Sequence, residues 1–264
     1  QFVAMASACI LVGDVGGTNT RLKLYRVKAS EMAAELAAGS KVPGELIKHV
    51  EYMNEKFSSF DDIVKTFLAA EPKTVEMPVA GCLAVAGPVE QNSVNFTNRS
   101  WKISGDGLQK AFGIQKMRLV NDFVANGYGL LTLDHAKECV CLQSAPKQPG
   151  APIACIGAGT GLGETFMTAA EPGADYECFP SEGGHAEFAP RNDLEMELLN
   201  FLKKKFAQKN RVSVERVISG IGLANVYEFL AQKYPKEVNK QVHAEFEGAG
   251  DLKGKVVAMH SKKG

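Results

Sequence analysis

Short apolar runs with two-residue alternation trade places along the chain with runs whose apolar residues recur every three or four positions, the signature of strands alternating with amphipathic helices. Residues 9–14 read as a strand ending in Asp14. Residues 16–19 form a tight turn, and residues 21–27 a second strand in which Leu22 and Leu24 alternate with Arg21 and Lys23, so the chain opens on a hairpin. Phe60, Ile63, Val64, Phe67 and Leu68 make one helical stripe over residues 60–70, with Ser58 and Ser59 as caps and Glu71-Pro72 as the stop. Residues 79–85 form a strand before Gly87-Pro88. Residues 117–120 form another, which delivers Asn121-Asp122 into a helix over residues 123–133. Strands alternating with helices predict an α/β class with partly parallel sheets, and open sheets of this kind place ligands at the carboxyl ends of their strands, where Asp122 falls.

The prolines and Gly150 of residues 144–152 mark a linker. Beyond it the hairpin pattern returns: a strand at 153–156, a turn through Gly157-Ala158-Gly159-Thr160-Gly161-Leu162-Gly163, and a strand at 164–168. Gly17-Thr18 aligns with Gly159-Thr160, so each side of the linker carries one unit of strand, Gly/Thr turn and strand. A helix spans residues 193–209, with Asn192 and Glu195 in capping-box spacing, and a second spans 223–233. After Pro235 the pattern fades, with no recognisable closing element. The expected division is a small α/β domain over residues 1–150 and part of a large α/β domain over residues 151–264.

Composition narrows the function classes. At 264 residues, 45% hydrophobic and 23% charged, the chain has the make-up of a soluble globular protein, and 30 Lys and Arg against 30 Asp and Glu leave no cationic surplus for phosphate-rich partners. Nucleic acid and membrane are therefore not expected partners. No window reaches the roughly 20 apolar residues of a membrane span, and residues 2–12 lack a basic leader region and continue into a Gly-rich turn. None of the six cysteines forms a Cys-x-x-Cys pair. On a strand, Cys139 and Cys141 would point to one side, which leaves a metal or redox pair open, but buried free thiols in a reducing, cytoplasmic compartment are the expectation.

Gly-rich hairpin turns let main-chain N–H groups converge on an anion, and Thr adds a hydroxyl donor. Two such turns, Gly16-Gly17-Thr18-Asn19 and Gly159-Thr160-Gly161, suit a polyphosphate better than a pair of plain hairpins. Asp14 adds a carboxylate where a hydrated Mg²⁺ would sit, because that ion keeps several waters and takes few carboxylates. A dinucleotide fingerprint fails on spacing: the sixth position counted from Gly157 is Leu162 and from Gly159 is Glu164, and the following segment suits a strand. No Walker A lysine motif occurs.

Polar side chains fall in further turns: Asn98, Asn121-Asp122, Glu182 with His185, and Glu215. Acids, amides and a neutral imidazole match a polyhydroxylated substrate, whose hydroxyls both donate and accept. Each has a plainer alternative. Asp122 could cap the following helix, His185 could bind zinc although no second ligand lies at the right spacing, and Glu215 could pair with Arg216 at the surface.

Six segments carry a family resemblance: Leu11-Val12-Gly13-Asp14-Val15-Gly16-Gly17-Thr18-Asn19; Thr97-Asn98 with Trp101; Asn121-Asp122-Phe123; the second glycine turn; Glu182-Gly183-Gly184-His185 with Phe188-Ala189-Pro190; and Val212-Ser213-Val214-Glu215-Arg216-Val217 with Ser219-Gly220. In this order they resemble the bacterial-type ATP-dependent glucokinases. The resemblance implies an actin-like, ribonuclease H-like fold with sugar and ATP in a cleft between two domains. It implies transfer of the γ-phosphate to the 6-hydroxyl of glucose at the entry to glycolysis, with a homodimer as a compatible assembly. It makes Asp122 the base, has Asn98, Asn121, Glu182, His185 and Glu215 hold glucose, and gives the phosphates to Gly16, Gly17, Thr18, Asn19, Gly159, Thr160 and Gly161. Asp14 would face Mg²⁺ through water. The family continues with a Gly-Gly segment that helps hold adenosine, whereas residues 249–264 show nothing comparable, so the second domain is expected to be incomplete at its C-terminal end. A kinase for another hexose and a non-catalytic sugar-binding regulator are the competing readings; the regulator would carry a basic face, and the net charge here is zero.

Overall fold

A computed structural model describes residues 6–32, 43–69, 76–96, 100–146, 148–207 and 211–261. Two units emerge: residues 1–151 with 168–180, and residues 152–167 with 181–264.

In the first unit the opening hairpin pairs β1 (Ser7–Val15) with β2 (Asn19–Lys28), followed by a one-turn helix α1 (Ala29–Met32) and by β3 (Glu45–Met53), which extends the sheet. Helix α2 (Phe60–Ala69) follows, and Ser59 caps it by accepting the Asp62 N–H at 3.1 Å. Then come β4 (Ala80–Val85), the short pair β5 (Ser93–Asn95) and β6 (Lys102–Ser104), α3 (Gly105–Phe112), β7 (Lys116–Asn121), α4 (Asp122–Leu131) and a short α5 (His135–Glu138). The five-stranded sheet runs β3-β2-β1-β4-β7; β1, β4 and β7 are parallel and the hairpin side is antiparallel. Alternate residues of these strands, among them Leu11, Val15, Leu22 and Leu83, meet Phe60, Ile63 and Phe67 of α2 in one buried core. Trp101 belongs to that core and donates its indole N–H to Ser58 O at 2.9 Å.

The remaining elements are β8 (Ile153–Ala158), β9 (Leu162–Ala169), β10 (Tyr176–Ser181), α6 (Asp193–Lys205), α7 (Gly220–Lys233), α8 (Lys240–Gly248) and α9 (Lys253–Ser261). β8 and β9 form the second antiparallel hairpin. Asn192 accepts the Glu195 N–H at 2.9 Å, the cap expected from spacing. Leu198 and Leu202 of α6 pack with Val212 and with Phe229 of α7.

Several expectations change. Cys139 and Cys141 are exposed and free and lie on no strand, with Val140 and Leu142 exposed beside them, so the buried-thiol reading fails. Two helices, α8 and α9, occupy the region where the pattern fades; their amphipathic signal is weak because short polar helices here bury few side chains, Phe246 and Val256 among them. α7 begins at Gly220 rather than residue 223, because Ser219 caps it and donors at the first turn need no periodic apolar residue. α6 stops at Lys205; residues 208–210 lie outside the described residues.

Candidate active site

Strand register places the first cluster. Val15 aligns with Val85 and Val85 with Asn121, so the carboxyl ends of the three parallel strands finish together: the Gly16–Thr18 turn, Gly87 and Asp122 share one edge of the sheet. Asn121, not Asp122, caps α4, accepting the N–H groups of Phe123 at 3.0 Å and Val124 at 3.3 Å while its amide donates to Gly87 O at 3.1 Å. The Asn121 side chain also hydrogen-bonds that of Asp122. Asp122 is half-buried, and its Oδ1 accepts the Phe123 N–H at 3.0 Å. Burial raises its pKa above the ordinary carboxyl value, and the charge of Asp14 pushes in the same direction.

The first turn closes with Gly16 N–H on Asn19 O at 2.9 Å, leaving Gly17 and Thr18 exposed at the tip. Asp14, opposite Arg21 in the β1–β2 register, accepts a guanidinium N–H on its Oδ2 at 3.0 Å, and Arg21 donates to Glu51 on β3 at the same distance. The exposed Asp14 carboxylate beside a turn rich in N–H groups fits a hydrated Mg²⁺, which needs one or two carboxylates and phosphate oxygens. Among the described residues no group of three or more His, Cys, Asp or Glu is placed to hold a metal.

The second cluster gathers on the other unit. His185 Nε2 stands 3.5 Å from Glu182 Oε2, and its Nδ1 stands 3.9 Å from Glu215 Oε1. The other Glu215 oxygen accepts the Leu162 N–H at 2.9 Å, immediately after the second glycine turn. Glu215 is therefore no surface partner for Arg216, whose guanidinium lies 3.6 Å over the Phe206 ring. Gly184 permits the arrangement: a Cβ there would come within 2.1 Å of Leu162 O. Arg211 donates to His185 O and fixes the segment from outside. Gly159 N–H closes on Gly161 O and Gly159 O accepts the Gly220 N–H, each at 2.8 Å, tying the turn to the start of α7 and leaving Thr160 exposed. Beside it lies a cavity of about 590 Å³ between Gly159-Thr160, the Ile218–Leu223 stretch and Leu252, Gly254 and Ala258, mostly apolar with Asp251 and Lys255 on its wall.

The structure thus brings Asp14, the first turn, Asn121 and Asp122 to one sheet edge, and Glu182, His185, Glu215 and the second turn into another group. Asn98 lies outside the described residues. Sequence reasoning passed over Asn54, which braces the first turn, and Arg211; neither sits in a motif, and only strand register and loop packing expose them.

A family model described as Glucokinase matches residues 11–260. The chain belongs to the glucokinase family. Glucokinase from Synechocystis sp. is 39% identical over 234 residues, covering 88% of this chain and 63% of that protein, and glucokinase from Nostoc sp. is 40% identical over 224 residues, covering 85% and 61%. The chain spans a little under two thirds of the length of these curated relatives. Among solved structures, glucokinase from an Antarctic psychrotroph matches with a TM-score of 0.66 at 28% identity, covering 96% of this chain and 73% of that one. Glucokinase from Balamuthia mandrillaris in complex with glucose matches at 0.61 and 18% identity, covering 96% and 73%, a likeness of fold. The α/β class and mixed sheet are those of glucokinase structures.

Proposed function

We propose that this glucokinase-family chain carries the equipment for ATP-dependent phosphorylation of glucose at its 6-hydroxyl, on an actin-like fold whose two domains flank a cleft. The observation that carries the reading is the Glu182–His185–Glu215 group, in which the same carboxylate that faces the imidazole also holds the backbone of the second glycine turn. A sugar-binding group and a phosphate turn are thereby one rigid assembly.

Asp122 serves as the base. A sugar hydroxyl is a poor nucleophile at neutral pH, and a carboxylate with raised proton affinity, held still by the Phe123 N–H, orients it and takes its proton as the bond to phosphorus forms. Glu182, His185 and Glu215, with Asn121 and Asn98, hold the other hydroxyls. The Gly16–Thr18 and Gly159–Gly161 turns present N–H and hydroxyl donors to the phosphates, and the apolar cavity beside Thr160 takes the purine. Asp14 would hold a hydrated Mg²⁺, which would neutralise charge on the phosphates.

A coupled ADP-release assay with ATP and Mg²⁺ over glucose, mannose, fructose and N-acetylglucosamine tests this. Glucose-dependent ADP formation is expected. Preference for a different sugar would reassign the substrate, and sugar binding without any ADP release would favour the regulator.

A further inference from the structure

The first glycine turn is held from below by a residue outside every motif. Asn54 follows directly on β3 and has no exposed surface. Its backbone N–H donates to Thr18 O at 2.8 Å, its amide Nδ2 donates to Gly16 O at 2.8 Å, and its Oδ1 accepts the buried Thr20 hydroxyl at 2.8 Å. The register explains the placement: Asn19 pairs with Met53, so the next residue of the β3 strand end passes beneath the turn.

The chemistry of an anion site makes this placement consequential. Carbonyl oxygens repel phosphate, and a three-residue turn carries nearly as many acceptors as donors. Asn54 draws the carbonyls of Gly16 and Thr18 inward, while Gly17 and Thr18 stand exposed at the tip. The Thr20 hydroxyl fixes which end of the Asn54 amide faces the turn, because it donates to the oxygen and thereby directs the NH₂ group at Gly16 O.

We infer that Asn54 is a positioning residue for phosphate binding, keeping the acceptors of the first turn away from the anion, with Thr20 setting the sense of its amide. The inference rests on the reading that this turn holds the phosphates of ATP. Asn54→Asp keeps the shape and the acceptor for Thr20 but sets a carboxylate oxygen against Gly16 O, so the turn must reorient. ATP affinity, measured calorimetrically with Mg²⁺ and a non-hydrolysable ATP analogue, should fall about tenfold or more, the scale of one buried hydrogen bond lost, while glucose affinity stays within about twofold. In turnover the KM for ATP should rise by more than kcat falls. Thr20→Val, which leaves Asn54 in place, should shift ATP affinity in the same direction by about threefold, and decides the matter if Asn54→Asp does not fold. Equal ATP affinity in folded Asn54→Asp, or parallel loss of both ligands in both variants, overturns the inference. Failure of the unsubstituted protein to bind the nucleotide overturns the functional reading, and this inference with it.

Discussion

Asp122 joins two properties that pull against each other. Half-burial and the nearby Asp14 charge raise its pKa, which suits a base and burdens the fold. A carboxyl whose pKa is higher in the folded than in the unfolded state favours folding at low pH, and that contribution is lost as pH rises through the folded-state value. Above that value the ionised Asp122 therefore weakens the protein. Asp122→Asn should lower kcat by at least about 10²-fold, leave glucose affinity largely intact and raise the thermal midpoint at pH 7, with that gain shrinking towards pH 4. Thermal scans of both proteins across this range check the sign; an equal or lower midpoint for the variant at pH 7 would contradict the electrostatic account. The same raised pKa predicts that the acid limb of the kcat–pH profile lies above the ordinary aspartate range.

At the scale of elements, two close backbone approaches hold the second cluster. Gly184 sits against Leu162 O, and Gly254 of α9 sits against Gly220 O of α7, where a Cβ would approach to 1.9 Å. Neither obstacle is the flexible end of a side chain, so Gly254→Ala must move α9 and open the cavity wall beside Thr160. The expected result is a destabilisation of about 1–3 kcal/mol with weaker nucleotide binding and unchanged glucose binding, read by denaturant titration and calorimetry. How far these elements were legible beforehand follows from what each buries. The β1–β2 and β8–β9 hairpins and helix α2 repeat their apolar positions with the period of their structure and stand within a residue or two of the expected limits. β3 half-buries its residues without clean alternation, and α8 and α9 are short and polar, so periodicity had little to detect. Asn121 rather than Asp122 caps α4 because Asn121 keeps an extended backbone before the helix, a distinction between adjacent residues that pattern does not resolve.

Over the whole molecule, neighbourhood in space was legible only in part. Glu182, His185 and Glu215, residue types suited to hydroxyl recognition, lie side by side; the direct bond from Glu215 to the second turn joins segments 53 residues apart and has no trace in local pattern. Asn54 lies 38 residues from Gly16, which it braces, for the same reason. Among the described residues no helix is long and apolar enough to cross a membrane. Each unit carries a glycine turn next to acids suited to a sugar or a metal, and the proposed reaction is phosphoryl transfer from ATP to glucose. The most direct measurement is ³¹P NMR of glucose, ATP and Mg²⁺ incubated with the protein and, separately, with Asp122→Asn. The account predicts a growing glucose 6-phosphate resonance matched by ADP with the unsubstituted protein and its loss with the variant. No glucose 6-phosphate from the unsubstituted protein, or equal amounts from both, would contradict it.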